Sequence, residues 1–109
     1  MKEVKFHQDF FNPIIERLKI STTRLKPKNL KVGDEFKFVF VPVDNYKDLN
    51  LRGIITKIEV VKFKDLNNVH ADNEGYEHPD LLKHELRNIY PEVKWDSLCY
   101  VYQFQVVNE

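Results

Sequence analysis

The spacing of hydrophobic positions changes several times along the chain, and each change predicts an element. Glu35 to Val41 alternates strictly, with Phe36, Phe38 and Phe40 on one face, the pattern of a strand lying on a core. Arg52 to Phe63 predicts a long β-branched strand, with Ile54, Ile55, Ile58, Val60 and Val61 expected to supply core. Val4-Lys5-Phe6 predicts a short first strand, and Leu98 to Val107 a last one. Helical spacing occurs twice. Phe10, Phe11, Ile14, Ile15 and Leu18 form an apolar stripe. Its helix starts at Asn12-Pro13, or earlier near Asp9, and ends near Leu18; Asn suits a cap and Pro a first turn. Leu82, Leu86, Ile89 and Tyr90 fall at i, i+4, i+7 and i+8, which predicts a second helix from Pro79 to Tyr90 with Pro91 beyond it. Leu30 to Asp34 and Asp72 to Tyr76 read as turns, Asp44 to Asn50 as a polar loop, and Asp65 to Val69 as a short helix. Strands interrupted by two helices, with a turn-rich middle, predict a small α+β domain on a curved or closed sheet.

A length of 109 residues suits one domain, 1–109, with one modest core. Net charge is zero but unevenly spread. Residues 1–33 carry eight Lys/Arg against three Asp/Glu, and residues 64–109 carry four against nine. The basic third is suited to phosphate or RNA, whereas the acidic end argues against a generally basic nucleic-acid binder. Attraction between the two ends of the chain accounts for the same asymmetry. A single cysteine, Cys99, excludes an internal disulfide and a cysteine zinc cage, and its strand-like setting reads as packing. The four histidines, His7, His70, His78 and His84, lack ligand spacing, so no metal is expected. No apolar run approaches the ~20 residues of a membrane span, and the mixed N-terminus is unlike a signal peptide. The expectation is a cytoplasmic protein without a membrane partner.

Chemistry concentrates in Arg17-Leu18-Lys19-Ile20-Ser21-Thr22-Thr23-Arg24, where Lys19, Thr22 and Arg24 have the spacing Lys-x-x-Thr-x-Arg. If residues 21 to 25 are extended, Thr22 and Arg24 share a face, and Ser21 and Thr23 point away from it. Lys19 lies just before. An amine, a hydroxyl and a guanidinium on one face suit activation of a nucleophile and capture of an anion or carbonyl.

This stretch resembles the signature of the ASCH domain family, Gly-x-Lys-x-x-Glu-x-Arg, with Thr22 at the Glu position, as in the bacterial N(4)-acetylcytidine amidohydrolases. The order of parts is similar too: a helix, the motif, Val32-Gly33-Asp34, two strands, His70-Ala71-Asp72-Asn73-Glu74, a helix ending Ile89-Tyr90-Pro91, and a strand with Tyr102-Gln103-Phe104. The likeness spans roughly residues 6–107. Arg17 stands where the family has Gly, a position that usually supplies a left-handed helix exit. The resemblance implies a PUA-like curved β-barrel with two or three helices. It also implies Lys19, Thr22 and Glu74 as catalytic residues, with Arg24 matching the motif arginine.

Those residue types suit amide cleavage. A hydroxyl needs a neighbouring base, which Lys19 would supply, and Glu74 would pass a proton to the leaving amine or orient the base. Backbone N–H groups or Arg24 would hold the developing oxyanion. Attack by Thr22 and attack by a water assisted by Glu74 both remain open, and so does Thr23 or Ser21 as the hydroxyl that matters, although both should point away from Arg24. Tyr76, beside Glu74 in a polar loop, is the expected base contact, and His70 a pocket-rim contact; Tyr46, Tyr100 and Tyr102 have core spacing. The loop Val43 to Leu51 is expected at the pocket rim. The implied function is removal of the acetyl group from N(4)-acetylcytidine or a related acylated cytosine nucleoside, with no cofactor. The alternatives are a non-catalytic RNA-binding module or a ribonuclease using the same pocket. Oligomeric state is not readable from the sequence.

Overall fold

A computed structural model of the protein describes residues 1–107. The last two residues of the expected 1–109 domain lie outside that range. In chain order the elements are β1 (Lys2–His7), α1 (Phe11–Ile15), β2 (Ser21–Arg24), β3 (Glu35–Val41), β4 (Arg52–Lys62), α2 (Asn68–Asn73), α3 (Pro79–Ile89) and β5 (Leu98–Val107). The strands form one sheet in the order β1-β3-β4-β5-β2. β1 runs parallel to β3, and the other pairs are antiparallel. The backbone ladder does not close. β1 and β2 are its edges, and the Arg24 guanidinium bridges them by donating from Nη2 to the Lys5 carbonyl at 2.7 Å.

Two cores flank β5 because its side chains alternate. Tyr102, Phe104 and Val106 join Val4, Phe6, Ile14, Phe36, Phe38, Phe40 and Ile55 in the first. Cys99 and Val101 join Phe63, Leu66, Ala71, Leu82 and Leu86 in the second, under α2 and α3. The phenylalanine stripe of β3 is buried as its alternation predicts, and it fixes a residue across the ladder. A Cβ on Gly53 would lie 2.6 Å from Phe36 Cζ, so only glycine fits opposite Phe36.

The strand β4 departs from expectation. Of its five predicted core residues only Ile55 is fully buried, and Val60 is 54% exposed. The register slips between Ile55 and Lys57, which reverses the facing of later side chains. Ile58 and Val61 pack in part, against different cores.

The first helix is shorter than its apolar stripe. A 3₁₀ turn, Gln8–Phe10, precedes it, and it ends at Ile15. There the Arg17 N–H meets the Ile14 carbonyl, and the Leu18 N–H meets the Pro13 carbonyl. Arg17 has φ 61°, so this is a Schellman ending with arginine at the position that favours glycine. Of the expected polar turn from Asp72 to Tyr76, Asp72 and Asn73 are instead the end of α2, which Asn67 caps by accepting from the Val69 and His70 N–H groups, and the turn itself follows at Glu74 and Gly75. Among the described residues no helix is long and apolar enough to cross a membrane.

Candidate active site

The two edge strands border one cavity of about 550 Å³. Lys5, Phe6 and His7 line it from β1, and Thr22, Thr23 and Arg24 from β2. Asp9 and Phe10 come from the turn before α1, and Leu82, Glu85, Leu86, Ile89 and Tyr90 come from α3 and its end; Lys19, Glu74 and Tyr76 complete the wall. That volume lies within the range of small-molecule sites, and the lining sets aromatic and aliphatic walls beside many charged and polar groups, which suits a polar ligand with an apolar face.

The Schellman ending carries the chain from α1 into Lys19, whose N–H donates to the Pro13 carbonyl at 3.1 Å. The next residue ties the site to the segment after α2. The Ile20 N–H donates to the Asn73 carbonyl at 2.7 Å, and the Ile20 carbonyl accepts from the Phe104 N–H. Glu74 is thereby brought to Lys19 across 55 residues, and Nζ donates to Oε1 at 2.9 Å. Both side chains are under a tenth exposed. The Lys19 ammonium also lies 4.7 Å from the centre of the Phe10 ring. The second oxygen of Glu74, Oε2, accepts from the Thr23 hydroxyl.

Thr22 has a different neighbour. Its Oγ1 accepts from Arg24 Nε at 2.9 Å, so these two do share a face, as alternation requires. Arg24 lies 5.3 Å over the Phe6 ring. Burial pulls its guanidinium below the usual arginine value, while the charges of Tyr90, Glu74 and Tyr102 oppose that shift. Lys28 is held low by burial first, and then by the positive charges of Arg24 and Lys5. Tyr76 is raised to about 12, by burial first and then by Glu85 and Glu74, so it stays a phenol and a hydrogen-bond donor.

Of the residues singled out in the sequence, Lys19, Thr22, Glu74, Arg24 and Tyr76 therefore border one cavity, and Lys19 and Glu74 touch. His70 does not join them. Its Nδ1 accepts from the Asn67 N–H and its Nε2 faces Glu59 Oε1 at 2.8 Å, in a separate, smaller cavity on the β4 side of α2. The ring completes a capping box and ties α2 to β4. The 43–51 loop is also elsewhere: Tyr46 stacks on Phe11 at 3.7 Å. Thr23, which the sequence left open as the reacting hydroxyl although it alternates away from Arg24, borders the cavity, because β2 is an edge strand and the cavity reaches both of its threonines. One feature escaped sequence reasoning. The α3 wall carries no local signal, because Leu82 and Leu86 read as ordinary core. Among the described residues no cluster suited to a metal ion occurs.

No protein-family profile and no curated protein matches the chain. Solved structures do. The crystal structure of an ASCH domain from Lactobacillus crispatus superposes with a TM-score of 0.76 at 15% identity, over 96% of this chain and 78% of that one. The chain has the ASCH-domain fold. A hypothetical protein, PH0355, matches at TM-score 0.75 and 20% identity, over 98% of this chain and all of the other. An Enterococcus faecalis protein of the family DUF984 matches at TM-score 0.71 and 15% identity, over 98% and 76% of the two chains. In this ASCH fold the seam between the edge strands is the opening that α3 covers.

Proposed function

We propose that this protein is a member of the ASCH family that hydrolyses the amide of an acylated cytosine nucleoside, with N(4)-acetylcytidine as the representative substrate. One observation carries the reading. The Glu74 carboxylate is buried between an ammonium and a hydroxyl, at the wall of a cavity large enough for a nucleoside. A buried ion pair contributes little net stability, since desolvating each charge costs several kcal/mol. Its placement on a cavity is explained better by proton transfer. Lys19 and Glu74 are the pair that moves protons between the attacking and leaving groups. Arg24 and the Thr22 hydroxyl hold the acyl oxygen as negative charge develops. Phe10, Tyr76 and Tyr90 are the surfaces for the base.

Incubating the pure protein with N(4)-acetylcytidine and separating the products tests this. Cytidine and acetate are expected from the wild type and none from Lys19→Ala; no cytidine from folded wild-type protein overturns the reading. A second reading, RNA binding at the same cavity, draws on one observation: Lys5 and Arg24 line the cavity, and their positive charges add to burial in holding Lys28 low. RNA binding through those residues would weaken steeply with added salt, whereas nucleoside hydrolysis would change little.

A further inference from the structure

Two adjacent hydroxyls border the cavity, and they are not equivalent. The Thr22 hydroxyl receives a hydrogen bond from a guanidinium and, among the described residues, meets no base that would take its proton. The Thr23 hydroxyl donates to a carboxylate oxygen whose partner oxygen is fixed by Lys19. Lys19, Thr23 and Glu74 are all buried yet border the cavity. The third hydroxyl of the strand, Ser21, is fully buried and does not line it.

We infer that Thr23, not Thr22, is the nucleophile and carries the acyl group between the two half-reactions. The inference rests on the amide-hydrolysis reading. Thr23 Oγ1 forms a bond to the acetyl carbonyl carbon, and its proton passes to Glu74 Oε2, to which it is already hydrogen-bonded. The carbonyl π pair moves onto oxygen, which Arg24 and the Thr22 hydroxyl face. As that pair returns, the bond from carbon to N4 breaks. Lys19 delivers a proton to N4, and the proton held by Glu74 restores Lys19. Cytidine leaves, and an acetyl ester remains on Thr23. Water then attacks the ester carbonyl and gives one proton to Glu74; the carbon–Oγ1 bond breaks, Thr23 takes that proton, and acetic acid departs and loses its remaining proton to solvent as acetate. The arrangement obeys the general rule that a weak hydroxyl nucleophile is paired with a base that a third group orients.

The experiment uses the full chain. Wild-type protein is mixed with excess N(4)-acetylcytidine, acid-quenched during turnover, and its peptides are mapped by mass for one added acetyl group. Acetyl on Thr23 is the expected result. Acetyl on Thr22, or turnover with no acetylated peptide at any quench time, overturns the inference while leaving amide hydrolysis standing. No turnover by folded wild-type protein overturns both. Variants provide the second readout. Thr23→Val, which keeps the shape, should lose kcat on the order of a million-fold, the scale of removing a nucleophile from a coupled set. Thr23→Ser should keep turnover and the acetyl adduct. Thr22→Val should lose much less, and retained turnover in folded Thr23→Val would overturn the assignment.

Discussion

Two of the carboxylates bound by basic side chains make an instructive pair at nearly the same distance, Glu74 by Lys19 at 2.9 Å and Glu59 by His70 at 2.8 Å. Distance does not separate them; surroundings do. Glu74 and Lys19 are both removed from water and stand at the edge of a large cavity, whereas the Glu59 side chain is 42% exposed. Solvent can replace His70 for Glu59, but nothing replaces Glu74 for Lys19. The first pair is therefore costly to break and placed where a ligand can reach it. The second fixes an imidazole that is already capping α2, and it belongs to the architecture.

The sharpest way to break that comparison is to remove one buried partner. Glu74→Leu should destabilise the protein by about 3–5 kcal/mol, because it leaves the Lys19 charge buried without its partner. Denaturant titration measures this. Lys19→Met combined with Glu74→Leu should recover most of that loss, as paired apolar replacements often do, and should still give no turnover. If the double variant were as unstable as the single one, the pair would be structural after all.

A second test follows the Glu74 charge into the neighbouring core. The Cys99 thiol is pushed up to about 11, by burial first and then by Glu74. The unfolded chain ionises this thiol from its ordinary value of 9.0, so the folded state binds the extra proton in between. Stability from this group is complete below pH 9 and falls as pH rises to 11, by at most about 1.4 kcal/mol per pH unit. The stability advantage of wild type over Cys99→Ala, measured by denaturant titration, should shrink across that window. A constant difference would mean that the thiol is not held protonated.

Smaller effects are expected around the capping box and at the helix exit. Asn67→Ala should cost about 1 kcal/mol of stability through loss of the cap, with turnover largely kept. Arg17→Gly should stabilise slightly, by about 0.5–1 kcal/mol. Left-handed backbone costs a side-chain-bearing residue roughly 1–2 kcal/mol, and part of the gain is lost to glycine's larger unfolded entropy. The smallest change belongs to Glu59→Gln, below about 1 kcal/mol, since its carboxylate is substantially solvated. A loss there as large as that of Glu74→Leu would erase the distinction between the two pairs. Thermal or denaturant midpoints against wild type check all three.

Much of this architecture is legible before any folding. Strict alternation marked β3 and its buried phenylalanines, β5 covers the predicted Leu98 to Val107, and α3 spans nearly the whole predicted helix. Local spacing suffices there because each element buries one face, and the period of the sequence is the period of that face. Alternation from Ser21 to Arg24 also pointed to a shared face for Thr22 and Arg24, which occurs, whereas Arg17 in place of the family's glycine left the helix exit open, and the fold keeps it left-handed. What the sequence could not hold was any relation across distance. The bulge in β4 cancels a regular-looking pattern, and the local run contains nothing that announces it. His70 and Glu74 are four residues apart, yet only Glu74 reaches the cavity, because α2 turns His70 towards β4. The two threonines are chemically identical neighbours in the sequence. Only the packing of Asn73 against Ile20, which delivers Glu74 to one side of an edge strand, makes one the partner of a guanidinium and the other the partner of a carboxylate.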